Sequence, residues 1–305
     1  MGRDNKRKIA KLGNVLQCLC VRNCEHRTVH GGDYVVKDVK HLYSSYWKHE
    51  LTRLKRDPYH SLEFDTTFRF LDEYLPKGGL ILDAGGGTGT YAITLAKRGY
   101  DVILLDYSRE NLKAARQEIE KKGVGGKIKG VVEGTIPDLS EFAADTFDAV
   151  LCLGGPLSLV YGKRNRQKAM VELTRVAKSR AAIFISVMNR YGEIALLLNK
   201  SPDDIGTDNF INLATRGEDR TWVAGYYCHY FSPAEIKDEF ISSTGARVIT
   251  MAGLEGLGAP SEREINDLNK NKKAWDNWMR MHYAFCTEPE VVGVSVHILM
   301  VGMKK

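Results

Sequence analysis

The chain has 305 residues, 43% of them hydrophobic and 27% charged, an ordinary globular composition that suits one α/β domain with additions. Its formal charge is +6, but residues 1–30 hold seven Lys and Arg against two acids, so five of those six charges sit in the tail. The body is nearly neutral, which argues against a phosphate backbone as its partner; only the tail supports nucleic acid. The apolar run around Val15 to Val21 is too short and interrupted to span a bilayer or serve as a secretory signal. A cytoplasmic protein with no membrane partner is expected.

Residues 1–30 read as a basic, disordered tail. Cys18, Cys20, Cys24 and His26 lie within it, at a spacing that matches no zinc module, and no metal is expected. Residues 31–75 read as an N-terminal helical cap. Tyr43, Tyr46, Trp47, Leu51 and Leu54 recur at helical steps, and a second helix is predicted over Ser61–Tyr74, closed by Pro76 and the Gly78-Gly79 pair. The Tyr46 region is either an aromatic lid over a ligand, with Tyr46 a candidate catalytic residue, or simple packing.

Residues 76–305 read as the ligand-binding domain. Short apolar runs alternate with amphipathic stretches, the pattern of a doubly wound sheet of seven strands. The predicted strands are Leu80–Asp83, Val102–Leu105, Ile128–Val132, Phe147–Leu153, Ala181–Val187, Arg247–Met251 and Val292–Val301. Predicted helices run from the glycine turn to Arg98 and over Arg109–Lys122, Lys163–Ser179 and Ser232–Ser243. Residues 189–231 form an insertion with a small helix near Glu193–Leu198, and residues 254–290 a second, with a long helix over Ser261–Phe285. Both are expected to cap the carboxyl ends of the strands, where such sheets bind ligands.

The strongest chemical signal is Leu82-Asp83-Ala84-Gly85-Gly86-Gly87-Thr88-Gly89-Thr90, a buried strand running through four glycines into a helix. Glycine there permits positive φ and close approach of a ligand to bare backbone. Asp106 ends the next strand, placed to accept hydrogen bonds from ribose hydroxyls. Gly87-x-Gly89-x-x-Ala92 also matches the dinucleotide fingerprint. Yet Asp83 stands two residues before the first glycine, where a carboxylate repels a pyrophosphate and attracts an ammonium or sulfonium. The charge logic favours a cationic cofactor.

With these motifs the chain resembles the class I S-adenosylmethionine-dependent methyltransferases over roughly residues 40 to 305, which implies a Rossmann-like sheet and S-adenosyl-L-methionine as cofactor. The resemblance assigns Asp83, Gly85, Gly87 and Gly89 to the methionine part of the cofactor, Asp106 to the ribose and Tyr107 to the adenine face. After the third strand Thr135 stands where an acid is common, so Thr135, Glu133 or backbone groups meet the adenine. Leu153 and Gly154 line the methyl-transfer end. The following Gly155-Pro156-Leu157-Ser158 lacks the motif of nucleobase amino methyltransferases, and Leu159 stands where similar small-molecule enzymes often carry a histidine.

An acceptor that must lose a proton needs a base. His229, in Tyr227-Cys228-His229-Tyr230-Phe231, and His282 are the candidates; the alternatives are a packed histidine among aromatics for the first and a solvated helix face for the second. His297 reads as structural, and the Trp275, Trp278, Met279 and Tyr283 stripe as core or as a pocket wall. The expected function is methyl transfer to a small-molecule acceptor by in-line displacement. An RNA or protein methyltransferase is the alternative, and a dinucleotide oxidoreductase a weaker one.

Overall fold

A computed structural model describes residues 50–221 and 226–305. Its spine is a seven-stranded sheet in the order β3-β2-β1-β4-β5-β9-β8. These strands are β1 (Leu80–Ala84), β2 (Asp101–Asp106), β3 (Ile128–Glu133), β4 (Phe147–Cys152), β5 (Ala177–Met188), β8 (Arg247–Gly253) and β9 (His297–Met303). The first five run parallel, while β9 lies antiparallel between β5 and β8. Chain order reverses between β1 and β4, which creates the crevice where open α/β sheets hold ligands.

The sheet is covered on both faces, so its central strands are continuous apolar runs rather than alternating ones. Successive side chains still point to opposite faces. Ile81, Leu104, Leu151 and Phe184 enter one core, whereas Leu82, Leu105, Cys152 and Ile185 enter the other. The first core is closed by α1 (Pro58–Tyr74), α2 (Thr90–Lys97) and α3 (Arg109–Lys121), through Phe68, Leu71, Leu95 and Leu112. The second is closed by α4 (Lys163–Val176) and α7 (Pro233–Thr244), through Met170, Leu173, Ile236 and Phe240. Local chemistry sets the helix starts. Asp57 caps α1 ahead of Pro58, Ser108 caps α3, and Ser232 with Glu235 forms a reciprocal capping box on α7.

The additions depart from expectation in three places. The first insertion holds α5 (Arg190–Lys200), α6 (Asp208–Arg216) and the antiparallel pair β6 (Glu218–Thr221) and β7 (Tyr226–His229), not one small helix. These elements make a core of their own from Leu197, Leu213, Tyr226, Cys228 and Tyr230. The long C-terminal helix is two, α8 (Glu262–Leu268) and α9 (Lys272–Phe285), because Asn271 leaves the helix and caps the second one. The last strand begins at His297 rather than Val292, since Pro289 opens a further helix, α10 (Pro289–Val294). Of the aromatic stripe, Trp275, Trp278 and Met279 pack against Tyr59, Leu62 and Ile265 as core, whereas Tyr283 lies under the Arg69 guanidinium.

The tail, its Cys18–His26 cluster, and Tyr43, Tyr46 and Trp47 lie outside the described residues. Among those described, no helix is long and apolar enough to cross a membrane.

Candidate functional site

The carboxyl ends of β1, β2 and β4 open into a cavity of about 660 Å³, within the range of small-ligand sites. Its floor is the loop between β1 and α2. Gly85, Gly87 and Gly89 have φ of 77°, 57° and 82°, a region that L side chains rarely enter. Gly85 also faces Pro156: a methyl group there would lie 2.7 Å from the proline Cβ. The backbone is therefore bare where a ligand would meet it. Gly85 and Gly87 line the cavity, whereas Gly89 turns the chain into α2 just behind it.

Asp106 lines the same cavity at the tip of β2 and organises its rim. One carboxylate oxygen accepts from the Gly87 amide at 2.9 Å; the other accepts from the Ser108 amide at 2.9 Å and from Asn111 Nδ2 at 3.2 Å. Burial raises its pKa above the usual carboxylate range despite these donors. Asn111 also lines the cavity, and its Oδ1 is buried without a hydrogen-bond partner among the described residues. Together Asp106 and Asn111 offer hydrogen-bond acceptors to a ligand bearing hydroxyl groups. Asn111 carried no sequence signal beyond its place in the first turn after the Ser108 cap.

Asp83 does not itself line the cavity, which is lined by the glycines above it rather than by its side chain. Its Oδ2 accepts from the Ala92 amide at 3.1 Å, which ties the strand to the first turn of α2. A methyl group on Gly86 would fall 2.4 Å from that same oxygen. The other oxygen, Oδ1, is fully buried with no partner among the described residues. Burial is the main cause that brings this carboxyl to about 7; the Ala92 amide opposes the rise and nearby Asp106 adds to it.

Around the remaining wall, Tyr107, Thr135, Leu153 and Gly154 all line the cavity. Glu133 does not: it reaches outward to pair with Arg109 at 2.5 Å. From the N-terminal segment Glu50 and Arg53 enter the site, which sequence reading missed because a helical surface arginine has no distinctive pattern. Arg53 lies close to Gly154 and bonds Glu63 at 2.5 Å and Glu50 at 3.1 Å. Burial works against the charge of Arg53, but these two carboxylates outweigh it and raise its pKa further.

Neither histidine offered as a base lines the cavity. His229 is 2% exposed, edge-on to Phe231, with Nε2 on Glu235 Oε1 at 2.9 Å. Burial raises the Glu235 carboxyl, yet the bond and charge of His229 and the charge of Arg190 together leave it below its ordinary range. His282 is buried between helices, with Nε2 2.8 Å from Thr66 Oγ1, and burial depresses its pKa to about 4. It is a neutral core histidine rather than one on a solvated face. His297 pairs with Glu255 at 2.6 Å; the carboxylate overcomes burial and lifts the imidazole to about 9. Among the described residues of the first insertion, Tyr227 lines the cavity.

Residues 81–180 match the family model described as a methyltransferase domain. A glycine/sarcosine N-methyltransferase of Aphanothece halophytica is 29% identical over 109 residues, covering 36% of this chain and 40% of that protein. A ubiquinone biosynthesis O-methyltransferase of Hahella chejuensis is 32% identical over 123 residues, covering 40% and 48%. The chain thus spans less than half the length of these curated relatives. A solved S-adenosylmethionine-dependent methyltransferase from Methanosarcina mazei superposes with a TM-score of 0.54 at 18% identity, covering 77% of this chain and 96% of that one. That likeness shows a shared α/β fold, and residues 81–180 are similar to the methyltransferase domain that the family model describes.

Proposed function

We propose that the protein is an S-adenosylmethionine-dependent methyltransferase acting on a small-molecule acceptor. The observation that carries the reading is one continuous cavity. It joins the bare glycine loop and the Asp106–Asn111 acceptor pair at one end to Gly154, Leu159, Tyr161 and Tyr227 at the other. The first end suits a nucleoside, and the second leaves room for a small acceptor beside it.

The residues present fit the cofactor. Bare glycine backbone accepts a close ligand, Asp106 and Asn111 accept from ribose hydroxyls, and Tyr107 with Thr135 flanks an adenine. The unpartnered Asp83 oxygen beneath the loop supplies negative potential for an ammonium group, through the loop rather than by direct contact. Arg53 is placed to hold a carboxylate near Gly154. The cofactor supplies an electrophilic methyl group on a sulfonium. The chain supplies orientation and exclusion of water, to which about 7–11 kcal/mol of a barrier can be attributed in well-aligned reactions.

No base need come from His229 or His282, both of which are held in the packed interior. An acceptor that attacks without losing a proton first, or one that is already ionised, matches this site. The relatives that methylate glycine and sarcosine or work in ubiquinone biosynthesis support a small acceptor, as does the near-neutral body.

Isothermal titration with S-adenosylhomocysteine and with NADH tests the cofactor assignment. Binding of the first and not the second is expected, and Asp106→Ala should weaken it by at least tenfold. Binding of NADH alone would overturn the reading.

A further inference from the structure

Arg166 is 2% exposed on α4, an unusual place for a guanidinium. Its Nη1 donates to the Tyr227 hydroxyl at 2.9 Å, its Nε has no hydrogen-bond partner among the described residues, and the group lies 5.5 Å from the centre of the Phe231 ring. Among the described residues no carboxylate pairs with it, whereas its neighbour on the helix, Lys163, takes Glu239 at 3.0 Å. A buried cation without a counter-ion is costly, and the cost is relieved when an anion arrives nearby.

The one described hydrogen bond of Arg166 runs through Tyr227 to the cavity. Because the Tyr227 oxygen accepts from the guanidinium, its own O–H is available as a donor. Donation from a charged group strengthens that donor in turn. Burial pushes the Tyr227 phenol up to about 12, with the Arg166 charge opposing and the nearby Glu218 carboxylate adding to the rise, so the group holds its proton at neutral pH. Tyr161 stands edge-on to it, ring centres 4.9 Å apart, and with Leu159 makes an aromatic and apolar flank.

We infer that the acceptor carries a carboxylate, anchored by the Tyr227 hydroxyl with the Arg166 charge behind it and flanked by Tyr161. Tyr227 is a binding residue and Arg166 a positioning one. The assignment rests on the methyltransferase reading for what happens next to that anchor, but the anion preference is a property of this wall alone.

The probes are 4-fluorobenzoate and its uncharged counterpart 4-fluorobenzamide, titrated by fluorine NMR into the full chain with and without S-adenosylhomocysteine. Hydrogen bonds to charged groups are worth about 1.5–3 kcal/mol, so the benzoate should bind at least tenfold tighter than the amide. Tyr227→Phe, which keeps the ring packing, should erase that preference and leave S-adenosylhomocysteine affinity unchanged. Arg166→Met should also erase it, and the thermal melt of each variant shows whether it folds. Equal affinity for the two probes, no detectable binding of either, or an undiminished preference in folded Tyr227→Phe would overturn the inference. Failure of S-adenosylhomocysteine to bind, with the carboxylate preference intact, would instead refute the cofactor reading and leave this one standing.

Discussion

Replacing Asp83 by asparagine should stabilise the empty protein while weakening it as a binder. In the unfolded chain this carboxyl ionises near 3.8, but in the fold it keeps its proton up to about 7. Between those values the folded state binds the extra proton, so stability falls as pH rises from about 4 to 7 and then levels off. A gap of that size corresponds to roughly 4 kcal/mol at about 1.36 kcal/mol per pH unit. The carboxamide of Asp83→Asn would leave a buried polar atom unsatisfied at a cost of about 1–3 kcal/mol. The net gain at pH 8 is then about 1–3 kcal/mol, or roughly 2–6 °C in melting temperature for a domain of this size. The same change removes the negative potential beneath the glycine loop, so S-adenosylhomocysteine should bind at least ~10-fold more weakly at pH 8, with a smaller difference below pH 6. Melts and titrations of both proteins from pH 5 to 8 read the two effects together. If the curves of wild type and Asp83→Asn run parallel across that range, this carboxyl does not titrate near 7 and the reasoning fails.

Other expectations follow from the same contacts. The Glu255–His297 pair, with the carboxyl drawn down to about 2 and the imidazole up to about 9, contributes fully between about pH 4.5 and 6.5. Its contribution is lost as pH rises from 6.5 through 9 and as pH falls from 4.5 through 2; His297→Gln should flatten the alkaline decline in thermal melts. Gly85→Ala places a methyl group 2.7 Å from Pro156 at a φ of 77°. It should cost about 1–3 kcal/mol in denaturant unfolding and abolish measurable cofactor binding in titration. His282→Ala opens a buried space and strands Thr66 Oγ1, so about 2–4 kcal/mol should be lost in urea unfolding. If instead a well-folded His282→Ala loses turnover alone, with cofactor affinity retained, the core assignment of this histidine is wrong.

Those elements written by local or periodic chemistry were legible in the sequence. The seven sheet strands, the glycine turn and the Ser232–Glu235 helix start all sit within a few residues of expectation, except the last strand, because each is encoded by a run, a breaker or a cap. The C-terminal segment was misread because Asn269, Lys270 and Asn271 interrupt an amphipathic stripe without a proline or glycine, and only the Asn271 cap shows the break. The glycine end of the cavity was legible for the same reason as the turn: backbone conformation demands glycine and a strand end presents an acid. The opposite end was not. Arg53 and Tyr227 meet the cavity through tertiary packing, Arg166 stands behind it on the Tyr227 hydroxyl, and His229 looked available only because its partner, Glu235, lies on the following helix as a capping residue. The distinction between Asp83 as a direct ligand and Asp83 as a buried strut likewise needs the position of Gly86.

The most direct test is transfer of label. The full chain, incubated with S-adenosylmethionine carrying tritium in its methyl group and a whole-cell extract, is fractionated into small molecules, RNA and protein. Tritium in a non-volatile product of the small-molecule fraction, absent with Asp106→Ala, is the predicted outcome. Label confined to RNA or protein would contradict a small acceptor, and absence of any transfer from a chain that binds NADH would contradict methyl transfer altogether.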